Sequence, residues 1–138
     1  MRNKKWISGQ GLVEFALILP ILLLLVVGAL DFGRAFYMKT VMENSAREGA
    51  YFMAYHATDD PANAIANAKE ATQIEAENSG FTIPLENITI DCIDSLGGTD
   101  CDSESTVTVT VESEFQLVMS ALFGGPFELV NDARMLIP

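Results

Sequence analysis

The chain has little positive charge. Eight lysines and arginines stand against nineteen aspartates and glutamates, which gives a formal net charge of −11 at pH 7. Proteins that hold a phosphate backbone do so with clustered lysine and arginine side chains, and this chain offers no such cluster beyond its first five residues. The composition therefore argues against nucleic acid as a partner.

The residue types that usually carry catalysis are also scarce. The chain has one histidine, His56, and no serine or cysteine lies in a known nucleophile motif. A glycine-rich phosphate-binding loop is missing as well. The sequence therefore does not predict an enzyme, and it gives no reason to expect a cofactor.

Cysteine is limited to Cys92 and Cys101, which lie nine positions apart. A metal site is not expected, because there is no CxxC pair and His56 is remote in sequence. In an oxidising compartment the two cysteines predict a disulfide that closes a short loop, and two free thiols remain the alternative. Carboxylates surround this loop and would suit Ca²⁺, but their spacing fits no EF-hand, so a solvated acidic loop is the default expectation. These carboxylates are Asp94, Asp100, Asp102 and Glu104.

One long apolar run is present near the N-terminus. Residues 12–30 are all apolar or glycine except Glu14 and Pro20, and these 19 residues approach the roughly 20 that a membrane-spanning helix needs. Basic residues precede the run and acidic residues dominate after it, which predicts a cytoplasmic N-terminus and an extracytoplasmic remainder. A signal peptide cut after Ala29 is the alternative, and it would release a secreted domain that begins near Leu30.

The helical pattern continues beyond this run. Apolar residues recur at three- and four-residue steps and form one face. They are Ala35, Met38, Met42, Ala46, Gly49, Met53 and Ala57. Lys39, Glu43 and Arg47 fall on a polar face, and Glu43 stands in the favourable ion-pair order with Arg47. We therefore predict a single helix over residues 12–55, apolar all round in its first half and packed on a soluble domain in its second half.

The remainder predicts one more helix and three strands. Asp60 can cap a second helix over residues 62–78 with Pro61 in its first turn, and Gly80 ends it. Strands are predicted over residues 87–93, 106–117 and 129–137; the middle strand alternates valine with threonine and glutamate. The expected fold is α+β, with a three-stranded antiparallel sheet whose valine face packs on the long helix.

Glu14 is the unusual residue of the apolar run. A carboxylate inside a membrane helix is costly and usually has a partner. One interpretation is that Glu14 sits at the headgroup boundary, only two residues into the run. The other is that it meets a cation within an assembly, such as the free α-amino group of a cleaved neighbouring subunit.

The order of these features resembles a type IV prepilin. A short basic leader ends in Gly9, Glu14 follows five residues later, and the apolar helix comes next. Further segments narrow the resemblance to the TadE-like minor pseudopilins of the Tad (tight adherence, Flp) pilus. These segments are QGLVEFAL at 10–17, LP at 19–20, DFGR at 31–34 and NSAREGA at 44–50.

The resemblance implies a processed pilus subunit. A prepilin peptidase would cut after Gly9 and make Gln10 the first residue, with Glu14 fifth and Phe15 sixth; a cut after Gly11 would make Glu14 third, which does not fit. The chain then divides into a leader at 1–9, a membrane or filament-core helix at 10–34, and a half-helix with an extracytoplasmic domain at 35–138. Loss of the leader leaves five basic residues against nineteen acidic ones, a formal charge of −14 before the new α-amino group is counted.

The resemblance also implies partners and a location. The partners are other pilin subunits, met through the N-terminal helix, and the inner membrane before assembly; the final site is an extracellular pilus with a role in adhesion or surface attachment. Major Flp pilins are little more than the helix, so this larger chain suits a minor subunit better. The alternative function is a single-pass anchored binding domain without a filament role, whose N-terminus would stay uncut.

Overall fold

The computed structural model describes residues 9–57, 63–94, 96–120 and 124–138. Within these ranges the fold is α+β, with a long N-terminal helix, a second helix and a three-stranded antiparallel sheet, as the sequence predicts. The elements are helix α1 (Gln10–His56), helix α2 (Ala64–Asn78), a 3₁₀ turn (Leu85–Asn87), and strands β1 (Ile88–Ile93), β2 (Thr106–Phe115) and β3 (Phe127–Leu136).

Helix α1 has two halves with different surroundings. Its 47 residues run unbroken through Pro20, and at about 1.5 Å per residue the helix is about 70 Å long. The first half has no buried residue up to Leu30, whereas the predicted apolar face of the second half is buried from Met38 onward. Met42, Ala46 and Met53 are at most 1% exposed and form the centre of the core. The change in periodicity after residue 34 therefore lies within one turn of Asp31, the first buried residue of the helix.

Helix α2 packs closely against α1 through small side chains. Its buried face consists of alanines and Thr72, whose hydroxyl donates to the Ala68 carbonyl. Gly49 of α1 lies directly opposite, and a Cβ at that position would collide with the Thr72 hydroxyl. The helix ends as predicted, because Gly80 adopts a φ of 80° that favours glycine. The predicted start at Asp60 and Pro61 lies outside the described residues.

The sheet has the order β1-β2-β3, and both pairs of neighbouring strands are antiparallel. Val107, Val109 and Val111 of β2 are fully buried and face α1, which confirms the predicted packing of the valine face. The opposite face carries threonines and carboxylates and is partly exposed. Cys92 and Cys101 form a disulfide with a Cα–Cα distance of 5.2 Å, so the loop between β1 and β2 is tied back to the sheet.

Two predicted strand boundaries are wrong by two residues. Strand β2 ends at Phe115 and not at residue 117, because the chain turns away there toward α1. Strand β3 begins at Phe127 and not at residue 129, since Phe127 pairs with Phe115 across the ladder. Both differences occur at the end of the sheet that faces the apolar half of α1. That end, called the base of the domain here, comprises residues 115–120 and 127–129.

Candidate functional site in helix α1 and the base of the domain

The apolar half of α1, residues 10–30, is not covered by the rest of the described chain and is called the bare half below. An 18-residue window of this helix is long and apolar enough to cross a membrane, and none of it is buried by the rest of the described chain. Most of its large side chains are exposed, for example 71% at Leu12 and 46% at Leu24, while Leu19 and Val27 are half-buried. An apolar surface of this size needs lipid or other helices around it. The N-terminal helix therefore fits membrane anchoring.

Glu14 and Gln10 are neighbours on this bare surface. The Gln10 side-chain amide donates a hydrogen bond of 3.1 Å to a Glu14 carboxylate oxygen, and both side chains are exposed. Phe15 is 59% exposed. Gly9 precedes the helix, and its carbonyl accepts a hydrogen bond of 3.2 Å from the Val13 N–H. The peptide bond between Gly9 and Gln10 thus lies at the first turn of α1, one turn before Glu14.

Asp31 is a site residue that sequence reasoning did not identify. It is only 3% exposed, although it follows directly on the apolar run. One carboxylate oxygen accepts the Val118 N–H at 3.0 Å, and the other accepts the Met119 N–H at 3.2 Å. Asp31 therefore fixes the chain after β2 onto α1. Its only signal in the sequence was its place in the DFGR segment at 31–34, where it was noted for resemblance alone.

Arg34 lies beside Asp31 and links it to the sheet. Its guanidinium donates to the Asp31 carboxylate at 3.3 Å and lies 5.4 Å from the centre of the Phe115 ring. The Arg34 side chain is 55% exposed, so the direct ion pair contributes little by itself. The main effect of Arg34 is to supply a third donor to a buried carboxylate, which otherwise would be costly to desolvate.

An apolar groove of about 480 Å³ lies between α1 and the base of the domain. On the helix side it begins at Gly28, inside the apolar run, and continues to Ala35. Among the described residues, the charged side chains of its lining are two carboxylates, Asp31 and Glu128. The apolar lining on the domain side consists of Phe115, Leu117, Met119, Phe127 and Leu129. The groove is therefore continuous with the bare half of α1.

The carboxylates that were considered as calcium ligands do not converge in the described part of the chain. One oxygen of Asp94 accepts the N–H groups of Leu96 and Gly98, both at 2.7 Å, and Asp102 accepts the Ser105 hydroxyl at 2.6 Å. Among the described residues no group of three or more potential metal ligands is found. These two carboxylates therefore serve to hold turns. His56 is the last residue of α1, where its ring packs 4.7 Å from that of Phe52.

Comparison with known proteins supports the resemblance for the helix. No curated protein and no solved structure matches the chain. The model of the family described as TadE-like protein matches residues 9–50, which are 42 of the 138 residues. The matched range starts at Gly9, contains Glu14 and Asp31, and ends in the buried half of α1. Over these residues, which are less than a third of the chain, the N-terminal apolar helix is similar to the TadE-like family, and the match supports a relation to the Tad pilus system.

Proposed function

We propose that the chain is a structural subunit of a Tad-type pilus that assembles through α1. The observation that carries this proposal is the bare apolar half of α1 with a carboxylate near its start. A plain membrane anchor needs the apolar surface but has no use for Glu14. A helix that must recognise other helices at one particular depth has a use for both.

The proposed sequence of events begins in the inner membrane. The chain inserts with residues 1–9 in the cytoplasm, and a prepilin peptidase cuts between Gly9 and Gln10. The mature helix then leaves the lipid for a filament in which other pilin helices surround it. The domain faces outward in the filament, where it supports adhesion or surface attachment. This role is structural and requires no catalytic group.

Glu14 would set the axial register of this assembly. Among packed apolar helices an unpaired carboxylate is strongly unfavourable, so only arrangements that bring a cation to Glu14 are stable. The α-amino group of Gln10 from a neighbouring subunit lies at a suitable depth, because Gln10 is one turn before Glu14. In the single chain the neutral side-chain amide of Gln10 donates a hydrogen bond of 3.1 Å to the Glu14 carboxylate. A charged donor forms a stronger hydrogen bond and would displace that amide.

The N-terminal residue of the mature protein tests the processing step. Membrane and surface fractions of the native host would be analysed by mass spectrometry of the N-terminal peptide. A start at Gln10 supports the pilus subunit. A start at Met1 favours the anchored binding domain, and a start near Leu30 favours the secreted domain.

The variant Glu14→Gln tests the pairing step. It keeps the size of the side chain and removes the charge, so the protein should still be inserted and cut but should not appear in sheared surface filaments. Glu48→Gln is the matched control, since Glu48 is exposed on the second half of the same helix. Filament incorporation of Glu14→Gln at the level of the control would contradict the pairing.

A further inference from the structure

The segment of α1 that follows the apolar run presents aromatic rings and cations together. Phe32, Phe36 and Tyr37 are 72%, 65% and 53% exposed, although they lie where the domain already covers the other side of the helix. Arg34 and Lys39 are exposed between and after them. Exposed aromatic and basic side chains next to an apolar span are typical of the zone where a bilayer meets water.

The base of the domain lies at the same level as this segment. The hydrogen bonds from Val118 and Met119 to Asp31 place this turn of the chain one residue beyond the last apolar residue, Leu30. Val118 is 65% exposed despite being apolar, and Phe127 is 49% exposed although it is on the inner face of the sheet. The domain therefore presents apolar side chains where the span ends, and no part of the described chain covers them.

The length of the helix relates this level to a bilayer. Residues 12–30 are about 28 Å long at 1.5 Å per residue, against a hydrocarbon core of about 30 Å. The headgroup zone adds about 5–8 Å on each side. Phe32 and Arg34 lie about 3–6 Å beyond Leu30 along the helix, which is within that zone.

We propose that, in the membrane-inserted chain, the base of the domain rests in the outer bilayer interface and that phospholipid occupies the groove. Acyl chains reach the groove from the bare half of α1, with which it is continuous through Gly28 and Phe32. Arg34 meets the lipid phosphates. Glu128 also lines the groove, but side chains alternate along β3, so its carboxylate is directed to the face opposite Phe127 and does not oppose this arrangement.

Lipid fits this surface better than a second copy of the chain. A second copy would bring its own bare apolar helix to the groove, but that helix offers no anion near its outer end for Arg34, because Asp31 is buried in its own domain. Phospholipid supplies acyl chains and phosphates at the required levels. The proposal depends on membrane insertion of α1 and not on cleavage or filament assembly.

Depth-dependent fluorescence quenching tests the proposal. The full chain with Trp6→Phe would carry a single new tryptophan and be reconstituted in phosphatidylcholine vesicles, with or without lipids brominated near the glycerol end of the acyl chains. Phe127→Trp should lose most of its emission in the brominated vesicles. Leu96→Trp is the control, because Leu96 is 94% exposed and follows the far end of β1, so it should lose little.

The remaining outcomes separate the proposal from its premise. Leu23→Trp, in the middle of the span, should be quenched by lipids brominated near the chain ends. If Leu23→Trp is quenched and Phe127→Trp is not, the proposal is overturned while the proposed function stands. If neither is quenched, α1 is not inserted and both fail. Phe127→Trp emission that is unquenched and shifts to the blue as the protein-to-lipid ratio rises would assign the groove to a second copy, which also overturns the proposal.

Discussion

The carboxylate of Asp31 accepts the backbone N–H of Val118 at 3.0 Å, across 87 residues of sequence. Asp31 belongs to the first turn after the apolar run, and Val118 follows the end of β2. This hydrogen bond and its neighbour from Met119 therefore hold the turn after β2 next to the point where the bare half of α1 ends. A helix that carries a domain into an assembly needs such a connection, because otherwise the domain could pivot about the junction.

Asp31→Asn should loosen this turn without unfolding the domain. The amide keeps one oxygen but loses the charge and the second acceptor. Hydrogen bonds to charged groups contribute about 1.5–3 kcal/mol each, so hydrogen exchange of the Val118 and Met119 amides should become about ten- to a hundredfold faster. The measurement is amide exchange of the full chain in detergent micelles. Asp132→Asn, which alters an exposed carboxylate of β3 paired with Arg134, should leave both rates unchanged. Equal rates in Asp31→Asn and the native chain would contradict the role assigned to Asp31.

Gly49→Ala should destabilise the protein even though alanine favours helices. The new methyl group would collide with the Thr72 hydroxyl and lie 3.3 Å from the Ala68 carbonyl oxygen. Because the Thr72 hydroxyl lies well inside contact distance, we expect a cost in the upper part of the range of about 1–3 kcal/mol for overpacking, which outweighs the helix-propensity gain of about 1 kcal/mol. Urea unfolding in micelles, followed through near-ultraviolet circular dichroism of the tyrosines, should show a lower midpoint.

Gly33→Ala is the control for this substitution. Gly33 lies in the same helix, but a Cβ there would meet nothing within 4 Å, so its midpoint should be unchanged or higher. The double variant Gly49→Ala, Thr72→Ala should recover part of the loss, because the methyl group enters the space of the missing threonine atoms. A Gly49→Ala protein as stable as Gly33→Ala would show that α2 can move away from α1 at little cost.

The disulfide should stabilise the distal end of the domain. Cys92 and Cys101 close a loop with a sequence separation of nine, for which chain-entropy estimates give about 2–3 kcal/mol. A reducing agent should lower the free energy of unfolding of the native chain by about this amount. The double variant Cys92→Ala, Cys101→Ala should start at the lower value and not respond to the reductant. A native chain whose stability does not depend on the reductant would contradict a structural role for the bond.

The periodic parts of the fold could be predicted from the sequence. The stripe from Met38 to Ala57 repeats every three or four residues, and the valines of β2 repeat every two, so each pattern identifies its element and its buried face. Cys92 and Cys101 are close in sequence and adjacent to a strand, so their disulfide could also be predicted. In each case the interacting residues are near one another along the chain or obey a simple period.

The contacts of Asp31 could not be predicted in this way. Val118 and Met119 contribute their backbone N–H groups, which every residue except proline has, so their side chains give no signal. Locally, Asp31 with Arg34 three residues later suggests only a surface ion pair of the helix. The end of β2 depends on the same contact, because the alternation of apolar residues continues to Leu117 while the chain has already turned toward Asp31.

Removal of a large apolar side chain should affect domain stability in one half of α1 and not in the other. Met42 is 1% exposed at the centre of the core, so Met42→Ala should lower the free energy of unfolding of the domain by about 2–5 kcal/mol. Leu25 is 67% exposed in the bare half, so Leu25→Ala should leave the same quantity unchanged. Urea titration of both variants in the same detergent provides the comparison. In the native host Leu25→Ala should instead weaken incorporation into surface filaments, since its methyl groups would pack only against other subunits. A domain destabilised equally by both changes would mean that the first half of α1 belongs to the fold of the single chain, and the assembly role proposed for it would lose its main support.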